Sequence, residues 1–308
     1  MYLSIFRIIT YYRSSIVLSY RTHISFAMPK KEIAYKGRVL FLHGFAQSSS
    51  VFYAKSSALR KRFQSLGYKT IYLNAPINLI PSDLPSSDSL SKFNTVVVNE
   101  EEKTNYRGWW TKKPDHTYKL DDAIACVEKY IKDNEIVSGS PEDDKSNQIL
   151  DSDRDLPIVG LVGFSQGAAF AGALVHTFEQ LFGVDTLEFA LLYSGFKIDT
   201  KLMPEYAELY SQRNGSDTNV RMLHIVGELD TVVGDDRAYT LYDSTRENSH
   251  LLKHPGGHFV PNSRIMIDQV VNWIENKNEE SEKKEEEKPK AEKSEVDDLL
   301  AMMEKFGA

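Results

Sequence analysis

Leu156-Pro157-Ile158-Val159-Gly160-Leu161-Val162-Gly163-Phe164-Ser165-Gln166-Gly167-Ala168-Ala169-Phe170-Ala171-Gly172-Ala173 is the stretch whose reading decides the fold. Ile158 to Val162 is too short an apolar run for a helix and reads as a buried parallel strand. Gly163-Phe164-Ser165-Gln166-Gly167 is Gly-x-Ser-x-Gly, set between that strand and an alanine-rich helical run. That setting is the one a nucleophile elbow requires. The turn is sharp enough to strain the serine backbone, and the two glycines leave room where a Cβ would clash. Ser165 Oγ is then expected at the carboxyl edge of the sheet, at the N-terminus of the next helix. There the helix dipole and the Gln166 N–H favour a developing oxyanion. Taken alone, the same five residues also describe an ordinary turn between a core strand and a core helix.

Working outward, the flanking segments alternate strand and helix. Gly37 to Phe45 reads as a buried strand ending in a glycine turn. Ser48 to Ser50 can cap a helix over Val51 to Leu66, stopped by Gly67. Tyr68 to Asn74 is a second strand. Asn74 to Asp115 has little periodicity and reads as a long loop, a class that often carries lids or binding segments. Leu120 to Asn134 is an amphipathic helix with Asp121 and Asp122 in its first turn, where the macrodipole favours them. Phe189 to Gly195, Arg221 to Gly227 and Ser249 to His254 are further strands. Asp235 to Asp243 and Ile265 to Asn276 are helices. Five or six parallel strands alternating with helices make a doubly wound α/β sheet.

The chain has 308 residues and a formal net charge of -7, so it lacks the basic face that phosphate contacts need. Its single cysteine, Cys126, excludes an intramolecular disulfide and a cysteine metal cluster, and suits a reducing compartment. Cys126 falls on the apolar face of a helical pattern and reads as core filling. No His/Asp/Glu spacing resembles a metal site. Residues 1–27 carry Arg7, Arg13 and Arg21 and no acidic residue. They read as a mitochondrial presequence or, since Met28 offers another start, as an extension outside the folded domain. Their apolar runs are too short to span a bilayer. Ser138 to Asp155 is polar and acidic and is expected to be an exposed, disordered loop. Residues 277–308 form a charged tether ending in Leu299, Leu300, Met302, Met303 and Phe306, either a marginal tail or a helix that docks on a protein partner. The expected organisation is therefore an extension over 1–27, one catalytic domain over 28–276 and a tail over 277–308, in the cytoplasm unless the presequence is used.

Catalytic groups of open α/β sheets gather beyond the carboxyl ends of the strands. Ser165, Asp230 and His258 lie there in chain order, which is the α/β-hydrolase order. His258 would take the Ser165 proton, and Asp230 would fix the imidazole tautomer. The N–H groups of Phe45 and Gln166 would form the oxyanion hole. Asp235 and Asp236 are rivals to Asp230, but they sit in a helical first turn, where acids serve the dipole. His254 is a rival to His258, but it ends a strand, whereas His258 rides a glycine-flexed loop. His43 reads as a loop brace and His224 as a core histidine. Trp109, Trp110 and Phe45 are candidates for an apolar acyl pocket, with core packing the other reading of the tryptophans.

Several stretches together resemble the FSH group, the family of serine hydrolases typical of fungi. They are Leu42-His43-Gly44-Phe45-Ala46-Gln47-Ser48, Phe52 with Lys55-Ser56-Ser57 and Leu59-Arg60-Lys61, Asn74-Ala75-Pro76, Arg107-Gly108-Trp109-Trp110, the elbow itself, and His254-Pro255-Gly256-Gly257-His258-Phe259-Val260-Pro261. The resemblance runs from about Gly37 to Asn276. It implies an α/β-hydrolase fold, esterase-type activity without a cofactor, and the triad Ser165, Asp230 and His258. The acidic loop and both tails depart from it. A small-molecule ester is the expected substrate. Thioester hydrolysis uses the same machinery, and a non-catalytic binding protein on the same fold is the reading from another class.

Overall fold

The computed structural model describes residues 34–80, 83–84, 105–139, 153–185, 187–210 and 220–276. These residues fall in one compact unit that begins at Ala34. The extension over 1–27, most of the acidic loop, the tail over 277–308 and its terminal amphipathic helix lie outside the described residues.

Six strands form one sheet: β1 (Gly37–Leu42), β2 (Tyr68–Leu73), β5 (Ile158–Phe164), β6 (Phe189–Tyr193), β7 (Arg221–Gly227) and β8 (Ser249–His254). Their spatial order is β2-β1-β5-β6-β7-β8, and every pairing is parallel. The chain leaves β1 in one direction to make β2, then returns to the other side of β1 with β5. That reversal is a topological switch point, and it opens a crevice between the carboxyl ends of β1 and β5. This is the α/β-hydrolase arrangement expected from the sequence.

Alternating side chains of β1 bury into opposite faces of the sheet. Leu40 and Leu42 join a core with α3 (Asp121–Asp133) and α4 (Gln166–Leu174). Val39 and Phe41 join the other, with α1 (Ser49–Lys55), α2 (Ser57–Ser65) and α7 (Arg264–Glu275). The short α5 (Phe178–Phe182) and α6 (Asp235–Ser244) complete the α-helices among the described residues. None of the described helices is long and apolar enough to cross a membrane.

Two expectations change. The single helix over Val51 to Leu66 is two helices, broken at Ser56 (φ −98°, ψ 19°). The Ser56 hydroxyl lies 2.7 Å from the Phe52 carbonyl and 2.7 Å from the Tyr72 hydroxyl on β2, so it draws the backbone out of the helix toward the sheet. The long loop after β2 is also partly regular. Ile77–Asn78 (β3) pairs antiparallel with Arg107–Gly108 (β4), a pairing too short for any two-residue periodicity to reveal.

Candidate active site

The elbow is strained as its motif demands. Ser165 is buried, with φ 54° and ψ −116°, a conformation a non-glycine residue holds only where its surroundings enforce it. The enforcement is visible. Its N–H donates to the Tyr193 carbonyl at 2.8 Å, and its carbonyl accepts from Ala169 N–H at 2.9 Å. A Cβ on Gly163 would strike the Ala168 backbone, and one on Gly167 would strike the carbonyls of Leu42 and His43. The glycines thus let α4 start directly against β1. Gln166 occupies the first turn of α4, where backbone N–H groups have no intrahelical acceptor.

Asp230 and His258 come from the loops after β7 and β8. Those loops are tied by backbone hydrogen bonds, Glu228 N–H to the His254 carbonyl at 2.9 Å and Leu229 N–H to the Gly256 carbonyl at 3.0 Å. The tie brings His258 Nδ1 to 2.8 Å from Asp230 Oδ2, both side chains being buried. The other carboxylate oxygen accepts the N–H groups of Val232 and Val233, each at 2.9 Å. Burial alone would push the Asp230 pKa up. The His258 hydrogen bond and charge, with help from the Val233 N–H, outweigh it and hold the carboxyl below its ordinary value. The imidazole packs on Phe164, the residue before Ser165, with ring centroids 4.8 Å apart.

The rival residues stand elsewhere. Asp235 and Asp236 are exposed in the first turn of α6, Asp235 facing Lys253 Nζ at 3.4 Å. His254 is buried at the end of β8, and burial lowers its pKa. His43 accepts Ala75 N–H on Nε2 at 3.0 Å, so its proton sits on Nδ1 and faces the Gly44 carbonyl at 2.8 Å. It braces the loop after β1. His224 lies between Thr245 and Ser249 in the core, and burial pushes its pKa down to about 3. Cys126 is buried and pushed up to about 12 by burial, an inert thiol.

Arg107-Gly108-Trp109-Trp110 turns out to be a strut between the elbow and the turn after β1. Gln166 Oε1 accepts Trp109 N–H at 2.9 Å, and Gln166 Nε2 donates to the Trp110 carbonyl at 2.8 Å. The Trp109 indole N–H donates to the His43 carbonyl at 2.8 Å. Ala46 N–H donates to the Arg107 carbonyl, and Arg107 N–H to the Gln47 carbonyl, each at 3.0 Å. The Arg107 guanidinium reaches the carbonyls of Ala75 and Ser138. Nothing in the spacing of these residues announces those long-range partners. The one legible cue is that two of the chain's three tryptophans stand side by side.

A cavity of about 900 Å³ opens beside Ser165, walled by Phe45, Trp110, Gln166, Phe196 and Val233 among others. Trp110 lies on that wall, stacked on Tyr118 with centroids 5.1 Å apart. Trp109, expected there, is a correction: it is fully buried, stacked on Phe170 at 5.1 Å, and does not line the cavity. Its indole is drawn inward by the His43 carbonyl.

Known proteins bear on this geometry. The model of the family "Serine hydrolase (FSH1)" matches residues 33–270. "Family of serine hydrolases 3" of Saccharomyces cerevisiae is 33% identical over 88% of this chain and 98% of its own length. "Family of serine hydrolases 2" of the same yeast is 34% identical over 77% of this chain and 97% of its own length. "Esterase OVCA2" of Xenopus tropicalis is 30% identical over 73% and 86%.

Proposed function

The chain belongs to the FSH1 family of serine hydrolases and is an ester-hydrolysing enzyme, and we propose that it works through an acyl-enzyme on Ser165, with His258 and Asp230 as its partners. The observation that carries this is the buried Asp230–His258 pair at 2.8 Å, at the same sheet edge as the strained Ser165. His258 takes the Ser165 proton as the hydroxyl oxygen attacks the ester carbonyl. The tetrahedral oxyanion accepts the N–H groups of Gln166 and Phe45. His258 then passes its proton to the leaving alcohol, and the C–O bond breaks to leave the acyl-Ser165 ester. A water, deprotonated by His258, attacks that ester and releases the acid. Asp230 holds the imidazole with its proton on Nδ1 and stabilises the imidazolium. The apolar part of the wall, Phe45, Trp110, Phe196 and Val233, favours a medium- to long-chain acyl group. A cytoplasmic location belongs to the same proposal and rests on the cysteine-poor composition.

The test is fluorophosphonate labelling of the wild type and Ser165→Ala, paired with turnover of p-nitrophenyl esters of graded acyl length. Wild type should label and turn over, with a rate maximum at medium or long chains. Ser165→Ala should lose the label and about a millionfold in kcat. A Ser165→Ala protein that still labels and turns over would sink the assignment.

A further inference from the structure

A second cavity, of about 570 Å³, has His258 in its wall but not Ser165. It lies between α1, which supplies Phe52 and Lys55, and the segment after His258, which supplies Phe259 and Asn262. Ser57 adds a hydroxyl to the wall, and no acidic residue is among those that line it. Lys55 Nζ is buried and makes no hydrogen bond among the described residues. Burial lowers its pKa from 10.5 to about 8. A long lysine side chain ordinarily carries its ammonium out to water. An ammonium withdrawn from water without a counter-ion works against folding. Lys55 itself nevertheless lines a cavity that also touches the imidazole.

The reaction chemistry says which part of a substrate would occupy that cavity. In the triad mechanism the imidazole protonates the leaving group, so the leaving group departs on the imidazole's side. The cavity beside Ser165 has, next to charged residues such as Lys112, Asp199 and Arg237, the apolar wall an acyl chain needs. The cavity beside His258 has Lys55, the Ser57 hydroxyl and two amides, Gln47 and Asn262, set among Phe52, Phe259 and Val260. We infer that the cavity between α1 and the His258 loop is a leaving-group subsite, and that the Lys55 ammonium turns from its partnerless buried position into that cavity to select esters whose leaving group carries a carboxylate. A single ammonium flanked by neutral donors balances one negative charge, which is what a carboxylate brings. The inference rests on the Ser165–His258 mechanism proposed above and deepens it toward a substrate class.

Two octanoyl esters, of p-hydroxybenzoate and of p-hydroxybenzamide, differ only in the charge of the leaving group. The readout is the ratio of their kcat/KM values, divided by the same ratio for hydrolysis by hydroxide, which removes the difference in phenol acidity. Wild type should favour the carboxylate by about tenfold to a hundredfold, the range of a hydrogen bond to a charged group. Lys55→Met should bring the ratio to near one, Lys55→Glu should invert it, and Lys55→Arg should restore most of it. Since the buried amine does not serve folding, Lys55→Met should melt at or above the wild-type temperature. A wild type with no preference, or a preference that survives Lys55→Met, overturns the subsite while leaving Ser165 as nucleophile. Turnover of either ester by Ser165→Ala would overturn the mechanism itself, and the subsite with it.

Discussion

Asp230 carries three bonds on two oxygens, and their division explains what the residue does. Oδ1 is committed to the N–H groups of Val232 and Val233, which leaves Oδ2 to the imidazole. In Asp230→Asn the amide oxygen must stay with the two backbone donors, so the NH₂ group faces His258 Nδ1. The imidazole would then carry its proton on Nε2 and could not accept one from Ser165. We expect kcat to fall about ten-thousandfold with little change in KM, as tautomer reversal does in serine hydrolases generally. The pH dependence has a definite sign. The Asp230 pKa lies below its ordinary 3.8 in the folded protein, so the ionised carboxylate stabilises the fold at pH values above 3.8. That contribution is lost as the pH falls through the lowered value. Urea unfolding of wild type and Asp230→Asn should therefore differ most near neutrality and converge as the pH falls through that lowered value, whereas a gap that widened on acidification would contradict the assignment.

At the scale of elements, the strut from Arg107 to Trp110 and the break between α1 and α2 do the positioning. Trp109 reaches the turn that carries Phe45 through one hydrogen bond to the His43 carbonyl. Trp109→Phe keeps the stacking on Phe170 but removes that donor to a buried carbonyl. It should destabilise the fold by about 1–3 kcal/mol and lower kcat by loosening the oxyanion turn. Because Trp109 is not on the cavity wall, the acyl-length profile should keep its maximum, and a shifted maximum would return Trp109 to the pocket. Ser56 is the other hinge of the architecture. Ser56→Ala leaves the buried Tyr72 hydroxyl without its 2.7 Å partner. A loss of about 1–3 kcal/mol in urea unfolding is expected, and a fully wild-type midpoint would show that the helix break does not depend on the hydroxyl.

For the whole molecule, the site draws on the loops after β1, β5, β7 and β8, and the match to the family ends at residue 270. Removing residues 277–308 should accordingly leave ester turnover within about twofold of wild type, checked by kcat/KM on a p-nitrophenyl ester, and a large loss would make the tail part of the enzyme. The order of elements was legible in the chain because strand and helix periods are local, and Gly163, Ser165 and Gly167 declare the elbow because only small residues allow that turn. Asp230 and His258 were legible as candidates for the same reason, each following a strand at a turn. What the periods could not say is which distant group each side chain meets. Asp230 and Asp235 are five positions apart, yet the imidazole of His258 meets Asp230 because the loops after β7 and β8 are bonded together. Trp109 and Trp110 are adjacent, yet one indole is a strut and the other a wall, since one stacks on Phe170 and bonds the His43 carbonyl while the other stacks on Tyr118 at the cavity. Lys55 stood in a motif without a role until α1 was packed beside the His258 loop. The backbone's path follows from local sterics and burial pattern, which a sequence carries. The role of a polar side chain follows from its partners across the fold, and only tertiary packing chooses those.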